Sequence, residues 1–202
     1  KYSGRVLVYS PSTARWDSLR FGLDSLYRDS LPRVGSIAGF KDGVFVGVDQ
    51  GSSSFCWYGT FGGSNGKQVP CIGKLKNIPL TSMVEYGDAL YGIRSQFGIY
   101  RYHLGDSTWE PIPSARGRTN SEQEEGVSAI GVANGRLYVG YEGYSEGLFR
   151  WDDGKWTSMT PTPGDGTNRR ETPKSIRVIA SHQGRLLMAG SGGSEVCVHV
   201  PK

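Results

Sequence analysis

The sequence predicts an all-β fold, a β-propeller of four-stranded antiparallel blades, and two observations predict it. Leu90-Tyr91 lies as far before Trp109 as Leu137-Tyr138 lies before Trp156, and Trp16 falls two such periods before Trp109; the period is about 47 residues, in the range of stacked four-stranded units. Within each period, short runs of apolar and aromatic residues alternate with turn signals, as half-buried strands joined by hairpins require.

The unit 127–173 shows the order most fully. Strands at 127–133 and 136–140 are joined by Asn134-Gly135, a pair that tolerates positive φ and so favours a tight hairpin. Strands at 147–151 and 156–159 follow, on either side of an Asp152-Asp153-Gly154-Lys155 turn. The unit 81–126 repeats this with strands at 82–86, 89–93, 98–102 and 109–112 and a Gly87-Asp88 turn. In 34–80 the strands are expected at 35–40, 44–48, 55–59 and 69–73 around an Asp42-Gly43 turn, without the tryptophan.

The ends of the chain are complementary. Segments 176–180, 186–189 and 196–200, with a Gln183-Gly184 turn, supply first, second and third strands, whereas 5–9 and 16–19 read as a third and a fourth. A composite blade from 174–202 and 1–33 would close a four-bladed ring and remove exposed strand edges. The ends together offer one strand more than a blade needs, so the alternative is a segment of a larger ring, with further blades from the same or another chain.

Gly98-Ile99-Tyr100-Arg101-Tyr102 followed by Trp109-Glu110-Pro111-Ile112-Pro113 resembles the kelch repeat, in which a strand ending in an aromatic leads through a short polar turn to a tryptophan. Val6-Leu7-Val8-Tyr9-Ser10-Pro11 with Trp16, and Leu148-Phe149-Arg150-Trp151 with Trp156, repeat the shape. The resemblance is degenerate: the family's paired glycines are replaced by single residues such as Gly47, Gly140 and Ala189. It implies a propeller and no particular activity.

Composition bounds the function. The 202 residues make one ordinary domain, and 30 glycines and 10 prolines fall at intervals between apolar runs, where they mark turns. No apolar stretch approaches the roughly 18 residues of a membrane-spanning helix. Net charge is +4, but the basic residues are interleaved with acids: Arg169-Arg170, the densest pair, lies between Asp165 and Glu171. Nucleic-acid binders concentrate such charge on one face, so nucleic acid is not the expected partner. The chain opens on Lys1, which reads as a processed protein or an excised piece, and few lysines with abundant Gly, Ser and Tyr point towards export.

Candidate chemistry is sparse. His103, His182 and His199 fall at unrelated positions, and the three cysteines match no zinc spacing, so neither a metal site, a cofactor nor a catalytic centre is expected. Asp165-Gly166-Thr167-Asn168 is rich in oxygen but short of a calcium loop's ligand count. Cys56 and Cys71 flank the glycine-rich turn 62–66; a hairpin about that turn brings them nearly opposite, where a disulfide or two buried thiols are the alternatives.

Loop lengths carry the functional expectation. Turns from first to second strands are minimal, whereas the connections at 20–33, 113–126 and 160–173 are long and share a face with the second-to-third loops. A non-catalytic module binding a protein or peptide through that face is expected, with Arg94, Gln96, Arg116, Arg118, Tyr141, Glu142, Tyr144, Arg169 and Arg170 as candidate contacts. The alternative is a lectin with glycan pockets between blades. A lectin would reuse the same polar residues in every unit, whereas Gln96, Tyr144 and Gly192 differ from unit to unit.

Overall fold

The computed structural model describes residues 5–20, 33–50, 53–60, 66–70, 80–94, 98–115, 126–142, 147–159, 175–191 and 197–199. Among them every regular element is a strand. The terminal hairpin is β1 (Arg5–Ser10) and β2 (Arg15–Arg20). The first four-stranded sheet holds β3 (Arg33–Phe40), β4 (Gly43–Gln50), β5 (Ser53–Thr60) and β6 (Lys67–Val69). The second holds β7 (Ser82–Tyr86), β8 (Ala89–Arg94), β9 (Gly98–His103) and β10 (Thr108–Pro111). The third holds β11 (Val127–Ala133), β12 (Arg136–Tyr141), β13 (Leu148–Asp152) and β14 (Lys155–Ser158), and β15 (Ser175–His182), β16 (Arg185–Ser191) and β17 (Cys197–His199) form a three-stranded fourth. All pairings within the sheets are antiparallel between sequence neighbours.

Turn chemistry sets the registers. Asn134 and Gly135 have φ of 49° and 65°, and Gln183 and Gly184 have 48° and 73°, the doubly positive geometry of a tight hairpin that matches strand twist. The turn between β3 and β4 is one residue earlier than expected: Phe40 faces Gly43, so Lys41 (φ 54°) and Asp42 form the turn and Gly43 begins the strand. Gly43 is needed there for space. A Cβ on it would lie 2.5 Å from the Gly59 carbonyl oxygen and 3.0 Å from the Tyr58 ring. The outer turns also share a conformation, with Ala14, Ser107 and Asp153 all at positive φ.

The cores lie between sheets. Phe40, Phe45, Tyr58, Leu80, Met83, Leu90 and Tyr102 join the first sheet to the second. Ile93, Ile99, Val127, Ile130, Leu137 and Val139 join the second to the third. Ala129, Tyr138, Ile176, Ile179 and Leu186 join the third to the fourth. Close approach needs small residues at defined points: a Cβ on Gly131 or Gly140 would lie 2.5 Å from Cγ2 of Ile179 or Ile176, respectively. In the last seam, β15 therefore seats its apolar residues on glycines of the sheet before it.

The recurrent tryptophans fasten these seams. Trp109 faces Tyr102 and Trp156 faces Trp151 across the outer hairpins, with ring centroids 5.0 and 4.7 Å apart. The indole Nε1 of Trp109 donates to the Pro70 carbonyl at 3.0 Å, and that of Trp156 to the Pro113 carbonyl at 2.8 Å. Each indole thus reaches the chain leaving the preceding sheet. Tyr9 and Trp16 form the same pair at 5.0 Å in the β1–β2 hairpin.

Among the described residues, β1–β2 and β15–β17 pair as separate sheets. Strand β6 starts two residues before the expected 69–73, with Cys56 opposite Val69; Cys71 lies outside the described residues.

Candidate ligand-binding face

The two ends of the sheets differ in chemistry. At one end, tight turns bond to one another across the seams. Lys41 Nζ contacts Asp88 Oδ1 at 2.6 Å, and its backbone N–H donates to Glu85 Oε1 at 3.3 Å. Asn134 Nδ2 donates to the Gly184 carbonyl at 2.7 Å. The Lys41 ammonium holds the Asp88 carboxyl below its ordinary range, and Asp88 raises Lys41 in return. These turns spend their polar groups on each other.

At the opposite end, second strands finish and first strands begin. Arg94 closes β8 and Tyr141 closes β12, the two being sixth from their respective turns and hence equivalent. Both are buried, with exposures of 2% and 0%. The Tyr141 ring packs edge-on to Phe149 at 5.4 Å. These residues build the rim from inside and offer almost no area to a ligand. Sequence reasoning treated them as surface because the strand ends one residue later than the apolar pattern suggests.

Glu142 is the candidate that reaches the surface. It pairs with Arg177 of the next sheet, and its backbone bridges Ser175 there. Its N–H bonds to the carbonyl of Gly126, a residue whose φ of 96° favours glycine. Arg177 is the extra residue of a bulge between Ile176 and Val178, which turns its side chain out of the strand alternation. The bulges at Val34/Ser36 and Val127/Ala129 put Gly35 and Ser128 in the same place. The signal that could have found Arg177 is this bulge, and the sequence pattern does not announce it. Gln96, Arg116, Arg118, Tyr144, Arg169 and Arg170 lie outside the described residues.

The outer edge carries ion pairs of its own. Glu110 meets Arg101 at 2.5 Å and His103 at 3.2 Å, and Asp152 meets Arg136 at 2.6 Å and Arg150 at 2.8 Å. The hydrogen-bonded Arg150 holds the Asp152 carboxyl below the usual range. Such pairs neutralise the outer hairpins and assemble no reactive set. Among the described residues, no group of three or more His, Cys, Asp or Glu side chains could hold a metal ion, and no helix is long and apolar enough to cross a membrane.

Solved structures share this arrangement. The computationally designed Ika4 protein matches with a TM-score of 0.53 at 10% identity, over 87% of this chain and 94% of its own. YCF48 bound to D1 peptide matches with a TM-score of 0.55 at 16% identity, over 91% of this chain and 54% of its own. The Malassezia sympodialis allergen Mala s 1 gives 0.57 at 14% identity, over 93% and 66%. The fold is a β-propeller. Identities this low carry the fold and nothing beyond it. No protein-family model matches the chain, and no curated protein matches it in sequence; the kelch resemblance thus reduces to the propeller architecture.

Proposed function

We propose that the chain is a non-catalytic binding module that recognises a protein or peptide through the face where Glu142 and Arg177 meet. The observation that carries this reading is the asymmetry between the two ends. The tight-turn end satisfies its polar groups internally, whereas connections 70–81, 112–126 and 159–174 all leave from the other. Those connections carry Arg116, Arg118, Arg169 and Arg170, residues that combine contact area with directed hydrogen bonds. A rigid scaffold with long polar connections on one side is a common way to build a binding surface. The neighbour YCF48 has a peptide bound, which agrees with this use of the architecture.

The test is a pull-down from the native source alongside a glycan array. A protein or peptide should be captured, and Arg169→Ala with Arg170→Ala should weaken capture at least tenfold. Strong binding to one sugar class, unchanged in that variant, would replace this reading with a lectin.

A further inference from the structure

Exposed apolar residues mark both ends of the arc of sheets. Counted from the hairpin turns, Ile37 of β3 is equivalent to Met83, Ile130 and Ile179, each fourth from its turn. Those three are 8%, 4% and 9% exposed, whereas Ile37 is 50% exposed. Val34 likewise corresponds to Val127 and Ile176, exposed by 1% and 2%, yet is itself 53% exposed. These positions are buried wherever a sheet precedes them, and in β3 they are bare.

The far end is bare in the complementary way. Val178 of β15 is equivalent to Ala129 and Ser36, which are 2% and 8% exposed because the following sheet covers them. Val178 is 55% exposed, and Ala180, equivalent to the covered Gly131, is also exposed. Small residues stand where a neighbour's apolar side chains would seat: Ala180 corresponds to Gly131 and Ala189 to Gly140, the two sites on which Ile179 and Ile176 rest. The first seam already accommodates alanine at this point, since Ala38 packs against its core. The β3 face and the β15 face are thus complementary halves of one more seam of the existing kind.

We propose that this seam forms between two copies of the chain: β3 of one copy docks head to tail on β15 of the other, and two such seams close one larger ring. A second copy fits because it brings both missing halves at once, and a head-to-tail contact ends in a ring when its rotation closes.

The test is a disulfide across the seam, with sedimentation equilibrium on the unaltered chain. In the equivalent seam a Cβ on Gly131 would lie 2.9 Å from Cβ of Ile179, so Gly131→Cys with Ile179→Cys is the control that links within one copy. Ile37→Cys with Ala180→Cys, or Val34→Cys with Ala189→Cys should the first fail to fold, is expected to link two copies. Mixed isotope-labelled and unlabelled protein would yield labelled–unlabelled peptides, and the unaltered chain should double in mass with rising concentration. A 37–180 link within one copy would overturn the proposal in favour of self-closure. A mass that stays monomeric at every concentration overturns it whatever the variants do.

Discussion

Tyr58 shows how one side chain ties turn, sheet and core together. Its ring is buried in the first seam against Phe40 and Phe45, while its hydroxyl donates to Asp42 Oδ1 at 2.9 Å. Burial, with Asp42 second, pushes its pKa up to about 12. The unfolded tyrosine ionises near about 10, so between these values the unfolded state sheds a proton that the folded state keeps. The contribution is therefore complete below about pH 10 and lost as pH rises towards about 12. Unfolding in urea at a series of alkaline pH values should show the unaltered protein weakening over that window, and Tyr58→Phe weakening distinctly less. Trp156 makes a second case. Trp156→Phe keeps an aromatic ring against Trp151 but removes the indole bond to the exposed Pro113 carbonyl, and urea unfolding should show a loss of about 0.5–1 kcal/mol. The spacing of Trp109 and Trp156 was legible in the sequence because the repeat preserves it. Their acceptors, Pro70 and Pro113, were not, because they sit in a different unit from the donor.

At the scale of the hairpin, legibility depended on whether a residue type reports its own reason. Asn134-Gly135 and Gln183-Gly184 do so, since both positions take positive φ and both turns fell where expected. Asp42-Gly43 did not, because Gly43 serves close approach to Gly59 and Tyr58 and the positive φ belongs to Lys41. The bulges in β3, β11 and β15 were equally hidden, and with them the outward turn of Arg177. Asn134 adds a contact to its conformational role, the bond to Gly184 across the last seam. Asn134→Ala should therefore lose both left-handed tolerance and a hydrogen bond, lowering stability by about 1–2 kcal/mol in chemical unfolding. Asn134→Gly should recover much of the difference, because glycine restores the turn without the bond.

Across the whole molecule, the sequence pattern carried the architecture further than the site. Strand count and order followed from periodicity, and the interleaved charges argued against a nucleic-acid face before any geometry was known. Of the candidate contacts, Arg94 and Tyr141 went into the rim because the second strands run one residue past the apolar pattern, while Glu142 stayed outside and met Arg177. The assignment of one face to binding rests on the contrast between the two ends of the sheets, so the decisive measurement compares them. The affinity of the captured partner should be measured for three proteins: the unaltered chain, a variant with Arg116, Arg118, Arg169 and Arg170 changed to Ala, and a tight-turn variant with Lys41→Ala and Asp88→Ala. The account predicts at least a tenfold loss for the four-arginine variant and less than a twofold change for the tight-turn variant. Loss of affinity confined to the tight-turn variant would contradict it.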